Sequence, residues 1–179
     1  MPTPMPHMAL VTVTGWPRPT DTGIQVGHLQ IHTRWRPGPE PGRVTVRAYP
    51  QTRPDGSLHR LYAFPSNIHR ARMPNGTGLT VVGQLLRIDR NEGLIRVKVC
   101  PGMADTEPFV VTMQASSEVL AFDPGTFSVR VTGRVLNLRW GVLLADQVAP
   151  VYAPVPERWH RHRVARPPQV RALLQTAAD

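Results

Sequence analysis

Arginine and aromatic side chains are interleaved along this chain. Trp16, Trp35, Tyr49 and Tyr62 alternate with Arg34, Arg36, Arg43 and Arg47. Farther on come Arg87, Arg96, Lys98, Arg130 and Arg134, then the adjoining pair Arg139 and Trp140. Near the end, Arg158-Trp159-His160-Arg161-His162-Arg163 packs cations and a ring into one short run. A guanidinium forks onto phosphate oxygens and stacks on flat rings, which an ammonium cannot do. An aromatic face holds an unstacked base for about 1–3 kcal/mol. Together these are the groups that a single-stranded nucleic acid would need. Tyr49, beside outward arginines, is the ring best placed for it; the competing reading for each aromatic is core packing.

Other chemistries find less support. The chain has no GxSxG, phosphate-cradling P-loop, HExxH or acid pair. Its acidic residues fall mostly in turns, and Asp105 and Glu107 flank a loop without a partner base. No enzyme activity, catalytic residue or cofactor is therefore expected. On a strand, His28 and His32 would lie about 13 Å apart, too far to share an ion. His160 and His162 have no carboxylate or cysteine beside them, so no metal is expected either. The single Cys100 excludes an internal disulfide and a CxxC-type zinc site, and it ends a strand on the side of Arg96 and Lys98.

The charge balance points the same way as the arginines. The 179 residues carry 21 Lys and Arg against 12 Asp and Glu, a net +9, and Lys98 is the only lysine. Residues 1–75 hold nine arginines against Asp21, Glu40 and Asp55, whereas residues 76–152 balance seven against seven. The excess thus sits in the first part and in the tail. A basic chain of this kind attracts polyanions; a compositional arginine bias would give the same count with no ligand. No apolar run is long enough for a membrane span, and Met1 to Trp16 has no signal-peptide pattern, so a cytoplasmic protein is expected, nucleoid-associated if bacterial.

The elements that must position these side chains are strands. Leu79 to Ile88 is a strand candidate, Asp89 to Gly93 a hairpin turn, and Leu94 to Cys100 alternates, with Ile95, Val97 and Val99 on one side. Phe109 to Gln114 makes a third strand, and Ser116 or Ser117 caps a helical turn. Phe127 to Leu136 turns Val129, Val131 and Val135 inward and Arg130, Thr132 and Arg134 outward. Gly141 to Val148 is the last strand. Upstream, Leu10 to Trp16 has the hydrophobic-x-hydrophobic-x-Gly form of 129–133. Gly23 to Trp35 continues as one long strand with a bulge at Gly27. Gly42 to Tyr49 buries Val44, Val46 and Ala48, and a turn at Thr52 to Ser57 leads into His59 to Phe64. The chain therefore divides into a disordered leader (1–7), a basic β-rich region (8–75), a barrel (76–152) and a Pro/Arg-rich tail (153–179) with a short helix from Pro167.

Three strands, a short helical segment and two more strands resemble the OB-fold, a five-stranded Greek-key barrel. The resemblance is carried by Thr80-Val81-Val82-Gly83-Gln84-Leu85 and Val129-Arg130-Val131-Thr132-Gly133-Arg134-Val135, and covers residues 78 to 152. The first part looks like a second, partial OB barrel, short of a complete ring. The resemblance to bacterial single-strand-binding proteins and replication protein A modules implies a non-catalytic binder of single-stranded DNA in replication, recombination or repair. Its contacts would be Arg34, Arg36, Arg43, Arg47, Tyr49, Tyr62, Arg87, Arg96, Lys98, Arg130, Arg134, Arg139, Trp140, Arg158, Trp159, Arg161 and Arg163. The acidic, glycine-rich tail of the bacterial family is missing; this tail is basic. RNA as the ligand, a protein-interaction or assembly module, a protein partner on the tail and a homo-oligomer all stay open.

Overall fold

The computed structural model describes residues 3–102, 106–123, 125, 127–136 and 142–160. The fold is all-β. The second half runs β8 (Gly76–Asp89), β9 (Leu94–Val99), β10 (Phe109–Ala115), α1 (Ser117–Ala121), β11 (Ser128–Leu136) and β12 (Val142–Pro150). Strand β8 pairs β9, and β9 pairs β10, both antiparallel. β10 meets β12 in parallel through only Gln114↔Leu144 and Ala115↔Ala145. β12 then pairs β11, which returns to β8 and closes the ring. This is the five-stranded Greek key expected from the alternation. The Ser116 hydroxyl accepts the Val119 N–H at 3.3 Å and starts α1, whose Val119 is buried under the barrel.

The first half is more complete than its sequence suggests. It runs β1 (Met8–Gly15), β2 (Pro17–Thr20), β3 (Gly23–Val26), β4 (Leu29–His32), β5 (Val44–Thr52), β6 (Leu58–Tyr62) and β7 (Ile68–Arg70). β2 pairs β3, β3 pairs β4, and β4 meets β6 in parallel through Ile31↔Leu61 and His32↔Tyr62. β6 pairs β5, and β5 pairs β1, of which β2 is the continuation. The connectivity is that of the second ring, so the molecule holds two OB-type barrels. Two features hid the first. Gly23 to Trp35 is a hairpin, not one long strand: Gly27, at φ 60, and His28 form a two-residue turn with glycine at its first central position. The closing parallel contact spans two residue pairs, too short to leave a sequence pattern.

The barrels are joined by their first strands. β1 and β8 run antiparallel from Met8↔Val82 to Thr14↔Gly76, with Val11↔Leu79 at the centre. Each strand pairs with the other barrel first and with its own second strand later. Gly15 and Gly83 therefore occupy equivalent places: Gly15 faces Val44 on β5, and Gly83 faces Val129 on β11. The resemblance of residues 10–16 to 129–133 does not survive this register, because the first is strand one of its barrel and the second is strand four.

A second joint lies at the β5–β6 hairpin tip, where Thr112 of β10 donates its N–H to the Gly56 carbonyl at 2.9 Å and its hydroxyl to that of Asp55 at 2.8 Å. Inward valines fill both barrels, with Val11, Val46, Val81, Val97 and Val131 fully buried in one continuous cluster. Each such side chain contributes about 1.5–3 kcal/mol on transfer from water.

The ends of the chain are tied to this frame. Residues 5–7, expected in a disordered leader, run beside 152–153: Met5 N–H donates to Tyr152 O at 2.8 Å. His7 is buried; its Nδ1 accepts the Cys100 N–H at 3.1 Å, which leaves Nε2 to donate to Ala153 O at 2.9 Å. Cys100 is itself buried, not on the outer side with Arg96 and Lys98. The short α2 (Glu157–His160) follows. Among the described residues no helix is long and apolar enough to cross a membrane.

Candidate nucleic-acid interface

On the outer face of β5, period-two alternation projects Thr45, Arg47 and Tyr49 away from the core. The neighbouring strand β7 places His69 opposite Thr45 and Arg70 opposite Val44. Arg72 follows, and these residues line a groove of about 770 Å³ with Met73 and Ala71. Among the described residues Arg47, Arg70 and Arg72 make no side-chain hydrogen bond or ion pair, and all three are exposed. Among the described residues no carboxylate lines the groove. Three guanidinium groups held close with no counter-charge make a site of positive potential, which a run of phosphates would neutralise.

A second depression, of about 420 Å³, adjoins the first. Trp16, 59% exposed, lines it together with Arg18, His28 and Gly76. The two hollows meet at Thr14 and Thr45, whose hydroxyls lie 2.9 Å apart on neighbouring strands. Thr14 is buried and Thr45 half-buried, so the two hollows are neighbours across the β1–β5 pair, each with its own lining. The segment beneath is held by Arg43, which donates from Nη2 to Met73 O at 2.6 Å and from Nε to Asn75 Oδ1 at 3.0 Å.

The arginines expected to bind a ligand thus separate into groups. Arg47 lies in the open groove, and Arg34 is exposed on the connection between β4 and β5. Arg36 is committed to backbone, donating to Thr33 O at 3.0 Å and Trp35 O at 3.2 Å; Arg43 is the staple just described. Trp35 packs on the core. In the second barrel Arg87 pairs with Asp89 at 2.5 Å, Arg96 with Glu92 at 3.6 Å and Arg134 with Asp146 at 3.7 Å. Lys98 is half-buried and Arg130 exposed, and neither has a carboxylate partner among the described residues. Tyr49 and Tyr62 both pack edge-on against Phe64.

The tail residues correct the expectation most sharply. Arg158 and Trp159 belong to no free arm: the Arg158 guanidinium donates to Pro101 O and lies 4.5 Å over the Trp159 ring, while Trp159 Nε1 donates to Pro101 O at 3.1 Å. Both are spent on docking α2 against the end of β9. Arg139, Trp140, Arg161 and Arg163 lie outside the described residues, as does the short helix from Pro167. Sequence reasoning passed over Arg18, His69, Arg70 and Arg72. The last three sit in His69-Arg70-Ala71-Arg72, a basic run that lies beyond the last strand read in the first part and leads into a Pro-Asn-Gly break.

No model of a known protein family and no curated protein matches this chain.

Proposed function

We propose that the protein is a non-catalytic single-stranded DNA-binding protein of replication, recombination or repair. The observation that carries this reading is the groove of Arg47, Arg70 and Arg72, lined by no carboxylate among the described residues, with exposed Trp16 in a neighbouring hollow. The three cations take successive phosphates, releasing condensed counterions, and the indole offers a face to a base. The double OB-type frame is compatible with the reading, since that architecture carries oligonucleotides in other proteins, there on strands two and three and here on strand four and β7. Fold by itself does not imply function, and the weight rests on the groove.

Fluorescence anisotropy of a labelled oligo-dT of about 30 nucleotides, against duplex DNA and RNA of equal length over a salt series, tests it. Preference for the DNA single strand is expected, with a log–log salt slope of several units, each neutralised phosphate contributing about −0.7. Equal preference for RNA would move the ligand to RNA. Weak binding, equal on all three polymers and lost by moderate salt, would refute the reading and leave a protein-assembly module with a compositional arginine excess.

A further inference from the structure

Tyr49 is two residues beyond Arg47 on the same face of β5, about 7 Å along the strand, within reach of one nucleotide. It opens the wall of a cleft of about 640 Å³ between the two barrels. Tyr62 and Phe64 of the first barrel and Phe109 of the second complete that wall, with the buried His7 ring at its inner end. The rings meet edge to face, Tyr49 and Phe64 at 6.1 Å and Tyr62 and Phe64 at 5.1 Å between centroids. Edge-to-face contact does not cover both faces of a ring, and Tyr49 and Phe64 are 38% and 48% exposed. Among the described residues no Lys, Arg, Asp or Glu lines the cleft. Both His7 nitrogens are already bonded, to Cys100 N–H and Ala153 O, so the inner end offers an uncharged ring.

We infer that this cleft receives unstacked bases of the strand whose phosphates lie on Arg47, Arg70 and Arg72. The inference rests on the single-strand reading above and gives it a second subsite, between the barrels. Its chemistry is that of a nucleobase: flat, largely apolar on its faces, and joined to an anionic backbone that must stay outside. The cationic groove and the aromatic cleft lie end to end on β5, which sorts backbone from base in that order. A base-paired duplex keeps its bases stacked, so the cleft would admit single strands and exclude duplexes.

The test uses the full chain and oligo-dT carrying 5-iodouracil, irradiated and mapped by mass spectrometry, with anisotropy of Phe64→Ala beside it. Cross-links to Tyr49, Tyr62 or Phe64 are expected. Phe64→Ala should weaken oligo-dT about tenfold with an unchanged salt slope, since it removes stacking and no phosphate contact. Its affinity for an abasic strand of equal length should match that of the wild type. Phe64 lies half out of the fold, so the variant should fold, and circular dichroism checks this. Normal oligo-dT binding with cross-links confined to Trp16 or the tail, and Phe64→Ala within about twofold of wild type, would overturn the cleft alone. Failure of the wild type to bind any single strand would overturn both the cleft and the function it rests on.

Discussion

The two barrels make the same turns and spend their charge differently. In the second, the β8–β9 hairpin sets Asp89 against Arg87 and Glu92 against Arg96, and β12 sets Asp146 against Arg134. Arg90 donates to the Leu120 carbonyl at 3.0 Å and so holds α1. In the first barrel, Arg47, Arg70 and Arg72 face a groove lined by no carboxylate among the described residues. The helix between strands three and four is replaced there by an irregular connection whose Trp35 packs on the core. Three guanidinium groups of the second barrel thus meet carboxylates, while Arg47, Arg70 and Arg72 of the first meet none among the described residues. The lesson is that a shared frame fixes where side chains point, while the placement of a few carboxylates decides whether a guanidinium is structural or available.

The largest expected effect tests the frame itself. At Gly83 an added Cβ would lie 2.3 Å from the Lys98 carbonyl oxygen, a backbone atom that cannot turn aside. At the equivalent Gly15 the nearest atom is Val26 Cγ1 at 3.1 Å, and a shift of a few tenths of an ångström relieves it. Gly83→Ala should cost about 3 kcal/mol or more in urea unfolding, and Gly15→Ala less than about 1. Equal costs would mean that the two bends are equally tight, and would remove this contrast between the barrels.

The next effect reads the charge. Replacing Arg47, Arg70 and Arg72 together by Ala should weaken single-strand binding about a hundredfold and lower the salt slope by about 2. Replacing Arg87, Arg96 and Arg134 should change affinity by less than about threefold, because each is already neutralised by a carboxylate of its own barrel. The reverse result would move the interface to the second barrel.

Much of the second barrel was legible because each of its strands alternates over a long run and its turn residues are conspicuous. Leu94 to Cys100 shows its inward valines without help from the fold. The first barrel was half hidden, since β3 and β4 are four residues each and one glycine turn separates them. Strand five is split as well, into β6 and β7, by the short helical turn Pro65–Asn67, so the strand read as His59 to Phe64 gives no sign that His69 and Arg70 rejoin the sheet. The interface was harder still. Thr45, Arg47 and Tyr49 could be assigned to one face by period two, but which arginines meet a carboxylate depends on cross-strand register. That register cannot be read locally: Arg134 meets Asp146 only because β11 and β12 shift between Thr132 and Gly133. Arg158 and Trp159 misled for a related reason, as nothing in a Pro/Arg-rich run announces the carbonyl of Pro101.

The smallest effect compares the two hairpins that carry an aspartate. Asp89 accepts the N–H groups of Glu92 and Asn91, both at 3.1 Å, and faces Arg87. The Glu92 N–H foremost, then Arg87, Asn91 and Arg96, hold its carboxyl below the ordinary 3.8, against the opposing effect of burial. Asp55 is lowered chiefly by the Ser57 hydroxyl and N–H, with only Arg53 as a nearby cation. A depressed folded value means that each carboxylate stabilises the fold above pH 3.8, and that this is lost as pH falls through the lower folded value. Asparagine keeps an oxygen for the backbone N–H groups and removes only the charge. Asp89→Asn should therefore lower the melting temperature at pH 7, with the gap to wild type closing as the wild-type carboxyl protonates in acid. Added salt should narrow the Asp89→Asn gap more than the Asp55→Asn gap, because two guanidinium groups act on Asp89 and one on Asp55. A gap that persists unchanged at pH 2 would show that Asp89 holds its turn by shape alone, and the contrast between charge-braced and charge-open barrels would then rest on the groove by itself.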